Sequence, residues 1–445
     1  MNERFKMAGE GARLEHARRF LAVAAVLVST GVAWAGPVGA PADANAMVQP
    51  VALKPTLAAP QMSTNAITFE PTSFSELPGW DSDNHLAAWK AFLASCRPVL
   101  DAIRAGPKAG AAQPPPLALL DACELALRTA RDHPQQTRAG AKSFFESNFK
   151  PHSVFHAGAS GLLTGYYEPL VKGSRVADDV YQTPVYRRPP DLVNVVAESE
   201  RGATSHRFTH MRKTASGLAP YLTRAEIEQG ALKGQNLELL YFKDPVDVFF
   251  MQIQGSARVE LPSGEQIRIT YDGKNGYPYT SIGRHLIEAQ AIKPDDMSLK
   301  SLTAWLKADR KRAEPVMWAN QSYVFFRELK GAEASGPMGA LSIQLQVGRS
   351  LAVDTAFHAL GTPIFVSSPG LTHANRGGDA REGFNRLMIA QDVGSAIKGP
   401  ERGDIYFGSG DQAGRLAGVT KHQGRFFVLL PGEAALAEAA SGGPP

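Results

Sequence analysis

The chain is short of cysteine, of net charge and of long apolar runs, and each shortage closes off a class of function. Its 445 residues include two cysteines, Cys96 and Cys123. A lone pair without C-x-x-C spacing cannot build a zinc centre by itself. In an oxidising compartment it reads as a disulfide, and otherwise as two buried thiols. Lys and Arg number 47 against 43 Asp and Glu, a net of +4, with no block of five or more like charges. That balance gives no footprint for nucleic acid, and none is expected as a partner. No G-x-S-x-G elbow and no H-E-x-x-H occur, and His206, His210, His285, His358 and His422 show no metal-ligand spacing. Asp354, Asp392 and Asp404 could clamp a divalent ion in principle, but nothing in their spacing demands one. No metal or cofactor is expected, and no internal repeat is present.

The apolar run that does exist is an address. Arg18-Arg19 precedes Phe20 to Val28, and the run continues to Ala33-Trp34-Ala35. A basic region, an apolar region and an A-x-A pattern read as a signal peptide over 1–35, cut near Gly36. The run falls short of the about 20 apolar residues of a spanning helix. No cysteine stands at the cut for lipid attachment, so a periplasmic protein is expected, with outer-membrane association left without an anchoring residue. Residues 36–66, rich in Ala, Pro and Val, read as a flexible tether, and residues 432–445 as a loose tail.

With 42 Gly and 31 Pro the rest leans towards β structure and loops. Helices are expected at His85 to Ala105, Leu117 to Asp132 and Ala139 to Asn148, packing across one end of a barrel. Thr223 followed by Glu226 is a capping box that opens a short helix. Val246 to Ile253, Ala257 to Leu261 and Gln266 to Tyr271 read as a strand meander. Further helices are expected at Ile282 to Ala289 and Leu302 to Asp309, and strands at Pro363 to Val366, Phe384 to Ile389, Asp404 to Phe407 and Arg425 to Leu430. The segment Gly408 to Gly414 is close to a dinucleotide glycine fingerprint. With a strand at Arg425 following so soon there is no room for the helix such a fingerprint needs, so it is expected to be a turn.

Ala390 to Gly418 is where chemistry is expected. Period 2 puts Asp404 and Tyr406 on one face of a strand and Ile405 and Phe407 on the other. A carboxyl beside an aromatic ring, partly desolvated, suits a general acid. Asp392 and Asp404 read equally as turn residues that cap local backbone amides.

A resemblance shifts that balance. Thr164-Gly-Tyr-Tyr-Glu-Pro169, Gln252-Ile-Gln-Gly-Ser-Ala-Arg258, Tyr271-Asp-Gly-Lys-Asn-Gly276, Ser281-Ile-Gly283, Asn320 to Phe326, Ala352-Val-Asp354 with Leu360-Gly-Thr-Pro363, and Ala390 to Phe407 occur in that order. Together they resemble the membrane-bound lytic murein transglycosylase A family with its C-terminal three-aspartate domain. The resemblance implies a mainly β fold with N-terminal helices: a double-psi β-barrel from 67–168 and 326–431, with a smaller β-barrel inserted at 169–325 and a groove between them. It implies cleavage of the MurNAc-β-1,4-GlcNAc bond of peptidoglycan without water, leaving a 1,6-anhydromuramoyl end. The catalytic acid and base then falls on Asp404, with Asp354 and Asp392 supporting it. Thr164, Gln254, Ser256 and Lys274 line the groove. Tyr166, Tyr167 and Tyr277 offer rings to sugar faces or pack in the core. Glu168 is a further groove residue and the rival acid. Peptidoglycan strands are the expected partner of a monomer, with cell-wall enzymes as the protein partners the family admits. A water-using muramidase and a non-catalytic glycan-binding barrel are the competing functions.

Overall fold

The computed structural model describes residues 67–105, 117–156, 161–195, 208–374 and 383–432. The expected signal peptide, tether and His206 lie outside them, as does the tail beyond Gly432. Strand β1 (Thr68–Pro71) leads into helices α1 (His85–Arg104), α2 (Leu117–Asp132) and α3 (Arg138–Asn148). Asn84 caps α1 by accepting from the Ala87 N–H at 3.3 Å, and Thr137 caps α3 from the Gly140 N–H at 3.0 Å. Ala88, Phe92, Ser95 and Val99 are buried along one stripe of α1, the spacing of a helix with a single apolar face. Cys96 and Cys123 are bonded, so α1 and α2 are tied with their Cα atoms 4.9 Å apart.

The chain then forms β2 (Phe149–Phe155), β3 (Leu162–Glu168), β4 (Leu170–Ser174), β5 (Thr183–Tyr186), β6 (Leu192–Asn194), β7 (His210–Thr214) and β8 (Gly217–Ala219). Thr223 and Glu226 make the expected capping box around α4 (Arg224–Glu226). There follow β9 (Glu238–Phe242), α5 (Pro245–Gln254), β10 (Ser256–Glu260), β11 (Gln266–Lys274), α6 (Ile282–Glu288), α7 (Leu299–Ala308), α8 (Arg310–Ala319) and β12 (Val324–Leu329). The last part holds β13 (Ser350–Val353), β14 (Pro363–Ser368), β15 (Phe384–Val393), β16 (Arg402–Ser409), α9 (Asp411–Val419), β17 (Lys421–Gln423) and β18 (Arg425–Pro431).

These strands make a nine-stranded sheet in the order β1-β2-β18-β14-β15-β13-β16-β3-β17 and a six-stranded sheet in the order β12-β11-β10-β4-β9-β5. A three-stranded sheet, β6-β7-β8, accompanies them. The large sheet buries both faces. Phe365, Leu387, Ile389, Phe427 and Leu429 meet Phe92 and Phe145 of the helical layer, with Phe149 of β2 beside them. Their neighbours Ile364, Val366, Met388, Phe426 and Val428 join a second core with Leu351, Ile405 and Phe407. The helices therefore lie on the face of the sheet. The second sheet packs Leu240, Val259, Ile269 and Phe326 against Val248 and Met251 of α5.

Two expectations fail. Val246 to Ile253 is a helix: Asp244 accepts from the Val246 N–H at 2.8 Å, Pro245 takes the first turn, and Gly255 ends it at φ 77°. Gly408 to Gly414 does open a helix, α9, which fits between β16 and the three-residue strand β17 that pairs with β3. Arg310–Ala319 forms α8 despite Pro315. The boundary expected at 325/326 falls inside β12, which pairs with β11 from Val324 to Leu329.

Candidate active site

One register row crosses five strands. Asp392 of β15 is paired with Ala352 of β13, Ala352 with Asp404 of β16, Asp404 with Thr164 of β3, and Thr164 with Lys421 of β17. Register partners point to one face, so these side chains share a floor. Two interstrand steps of about 4.8 Å put the Asp392 and Asp404 Cα atoms about 10 Å apart. Between them stands Ala352, 4% exposed, whose side chain is a single methyl. Two carboxylates thus flank a small side chain.

A bulge aims Asp392 at this floor. The pairing of β13 with β15 shifts between Leu351 and Ala352, so Gln391 is the extra residue. Gln391 is fully buried, donating to the Ala91 carbonyl and the Ser95 hydroxyl of α1, both at 2.8 Å. The helical layer therefore holds the bulge, and the next residue is the half-buried Asp392. Asp392 Oδ2 accepts from the Tyr166 hydroxyl at 2.9 Å, and Oδ1 from the N–H groups of Val393 at 2.9 Å and Ala340 at 3.2 Å. Burial raises its pKa from 3.8 to about 6 against these hydrogen bonds, with the Asp404 charge adding to the rise.

Asp404 has a different shell. Its Oδ1 accepts from the Thr164 hydroxyl at 2.7 Å, and that hydroxyl accepts from Arg402 Nη2 at 2.8 Å. Burial pushes the Asp404 carboxyl above its usual range, while Arg402 and Thr164 pull it back. Tyr166 and Tyr406, in register on neighbouring strands, stack with centroids 5.3 Å apart beside both acids. Their phenols stay protonated: burial pushes Tyr406 up to about 12 and Tyr166 well above its usual value.

The remaining candidates scatter. Asp354 is 3% exposed and its oxygens accept from the backbone N–H groups of Ala356 at 3.2 Å and Gly399 at 2.8 Å. It caps a turn. Glu168 is fully buried at the end of β3, where it meets Arg268 at 2.9 Å and Ser409 at 2.5 Å. Arg258 lies 3.8 Å away. Its carboxylate is surrounded by this chain's own donors. Gln254 lies beside β3, its carbonyl accepting from the Tyr167 N–H at 3.0 Å. Ser256 opens β10 and Lys274 closes β11 in the second sheet, both buried, with Lys274 Nζ donating to the Tyr277 carbonyl at 3.3 Å. The Tyr277 ring packs edge-on to Phe208 at 5.1 Å.

Ala352, Gln391 and Arg402 lie inside the quoted motifs, but nothing there gives any of them a role. Arg402 could have been found by the same period of two that groups Asp404 with Tyr406. The bulge that enlists Gln391 leaves no trace in composition. Among the described residues no cluster of three or more His, Cys, Asp or Glu is arranged to hold a metal, and no helix is long and apolar enough to cross a membrane.

Comparison with known proteins bears on the family of the chain. The family model described as the MltA specific insert domain matches residues 162–327, and the one described as the 3D domain matches 349–430. The membrane-bound lytic murein transglycosylase A of Vibrio cholerae is 34% identical over 270 residues, which are 60% of this chain and 65% of that protein. The match thus spans just under two thirds of the curated relative. The crystal structure of a membrane-bound lytic murein transglycosylase from Agrobacterium tumefaciens is 35% identical, covering 84% of this chain and 99% of that one at a TM-score of 0.71. Escherichia coli MltA with bound chitohexaose is 26% identical, covering 76% and 89% at a TM-score of 0.53. Reaching nearly the whole Agrobacterium structure at that identity, this chain belongs to the membrane-bound lytic murein transglycosylase A family.

Proposed function

We propose that the protein is a peptidoglycan lytic transglycosylase that uses Asp404 as its single acid and base. The observation that carries this is the Asp404 carboxyl itself. It is half-buried on the register row, raised in proton affinity, held at one oxygen only among the described residues, and positioned in the family's GDIY block. Protonated, it gives its hydrogen to the glycosidic oxygen as the bond from C1 of MurNAc to that oxygen breaks. The 6-hydroxyl of the same sugar then bonds to C1 and returns its proton to the Asp404 carboxylate. Atoms balance without water, and an attacker in the same ring gains from proximity. The products are an anhydro-ended strand and a free GlcNAc 4-hydroxyl.

Asp392 supports the field around Asp404, and Asp354 braces the turn behind it. Thr164 and Tyr166 line the floor, with Gln254, Ser256 and Lys274 on the facing wall. Parallel pairings of β13 with β15 and β16 with β3 within an otherwise antiparallel sheet favour the double-psi barrel for 67–168 and 326–431. The second sheet favours an inserted barrel near 169–325, with the glycan strand between them. Chitohexaose bound to the E. coli relative supports a β-1,4-linked glycan as ligand. The expected signal peptide makes the site of action periplasmic.

The hydrolytic alternative draws on the two carboxylates flanking Ala352, an arrangement that could activate water. Against it, both Asp392 oxygens are already engaged by Tyr166, Ala340 and Val393. Asp404→Asn decides the acid. Release of soluble muropeptides from purified sacculi is expected to fall by about a thousandfold or more with an unchanged melting temperature. Retention of a tenth or more of the parent rate would reject Asp404.

A further inference from the structure

Asp404 takes part in a chain of hydrogen bonds whose direction is set by chemistry. Arg402 has only donors. Its Nη2 donates to Thr164 Oγ1 at 2.8 Å, and the one hydroxyl hydrogen of Thr164 goes on to Asp404 Oδ1 at 2.7 Å. Arg402 cannot turn away easily, because Nη1 also donates to the Gly403 carbonyl at 2.5 Å. The order Arg402 to Thr164 to Asp404 cannot run backwards. Oδ1 is therefore an acceptor, and a proton placed on it would face the Thr164 hydrogen. Oδ2 accepts no hydrogen bond among the described residues.

We infer that Arg402 is a positioning residue that, through Thr164, keeps Oδ1 as acceptor, assigns the acid's proton to Oδ2, and sets the pH at which that proton is lost. This rests on Asp404 being the acid proposed above. The other groups facing Asp404 do not hydrogen-bond to this relay. Asp392 from β15 opposes a second negative charge, Tyr166 of β3 and Tyr406 of β16 are neutral phenols, and Lys421 of β17 is exposed. Arg402 is the cation coupled to the carboxyl, and its pull opposes the effect of burial. Oδ2 is thus the oxygen left to meet the glycosidic bond.

The test is the pH profile of muropeptide release by the full chain from purified sacculi, for the parent and for Arg402→Gln, Arg402→Leu and Arg402→Lys. Gln keeps an N–H for Thr164 but not the charge. Its limb of falling activity on the alkaline side is expected to move up by about one pH unit, with a plateau above that of Leu. Leu loses both, so its limb moves equally and its plateau falls by about tenfold. Lys restores the charge and returns the limb towards the parent position. Melting curves identify any variant that does not fold, and Gln, the mildest change, then carries the test. A limb that stays at the parent position in Gln and Leu, whatever happens to the plateau, overturns the inference and leaves Arg402 a structural residue. Mass spectrometry of the parent's products separates the two levels. Anhydro ends with an unmoved limb sink Arg402 alone, whereas absence of anhydro ends sinks the lytic reading beneath it.

Discussion

Asp392 and Asp404 are alike in sequence and differ in their shells. Asp392 binds Tyr166 and two backbone N–H groups yet keeps its proton to about pH 6, because burial outweighs them. Between its ordinary 3.8 and about 6 the folded chain holds a proton that the unfolded chain has released. Stability therefore falls as pH rises through that window. Asp392→Asn removes the charge but keeps acceptors for Val393 and Ala340. Near neutral pH it should be more stable than the parent by about 1 kcal/mol, after discounting for solvent at a half-buried group. The gain should vanish below about pH 4. Urea unfolding at acid and neutral pH checks this, and equal stability at neutral pH would show that Asp392 carries no penalty. At this scale the motif legibly pointed to both acids. The partners that distinguish them, Arg402 at two residues' distance and Ala340 more than fifty residues away, required the fold.

Strands and helices were legible where one period ruled and illegible where two competed. The stripe of α1 and the capping box at Thr223 are local, and both stand where the residues put them. Val246 to Ile253 is rich enough in β-branched and aromatic residues to pass for a strand. Its caps, Asp244 and Gly255, decide for helix. The α9 helix is hidden in the sequence because it is short enough, Asp411–Val419, to fit before the next strand. That helix packs on the back of β3, and the contact depends on Gly165. A Cβ there would lie 2.7 Å from Phe407 Cδ2 and 2.9 Å from Ala417 Cα. Gly165→Ala is expected to cost about 1–3 kcal/mol and to displace the neighbouring Thr164, lowering turnover with stability. Thermal unfolding checks the first part. An unchanged melting temperature would mean that α9 yields without loss.

Over the whole molecule the two larger sheets meet at the end of β3. Glu168 and Pro169 form the step from β3 to β4, and the Glu168 carboxylate joins Ser409 of β16 to Arg268 of β11. The Gly410 N–H donates to its backbone carbonyl at 2.8 Å. A residue read from sequence as a rival acid is thus a tie between sheets, which explains an invested carboxylate in a motif beside the acid row. The catalytic proposal needs that row held against a second wall. Its central claim, that the sugar's own hydroxyl replaces water, is tested most directly by the mass of the muropeptides released from purified sacculi. The account predicts strand ends lighter by one water, lacking a reducing group and unaffected by chemical reduction. Products with reducing ends would contradict it and make the protein a hydrolase.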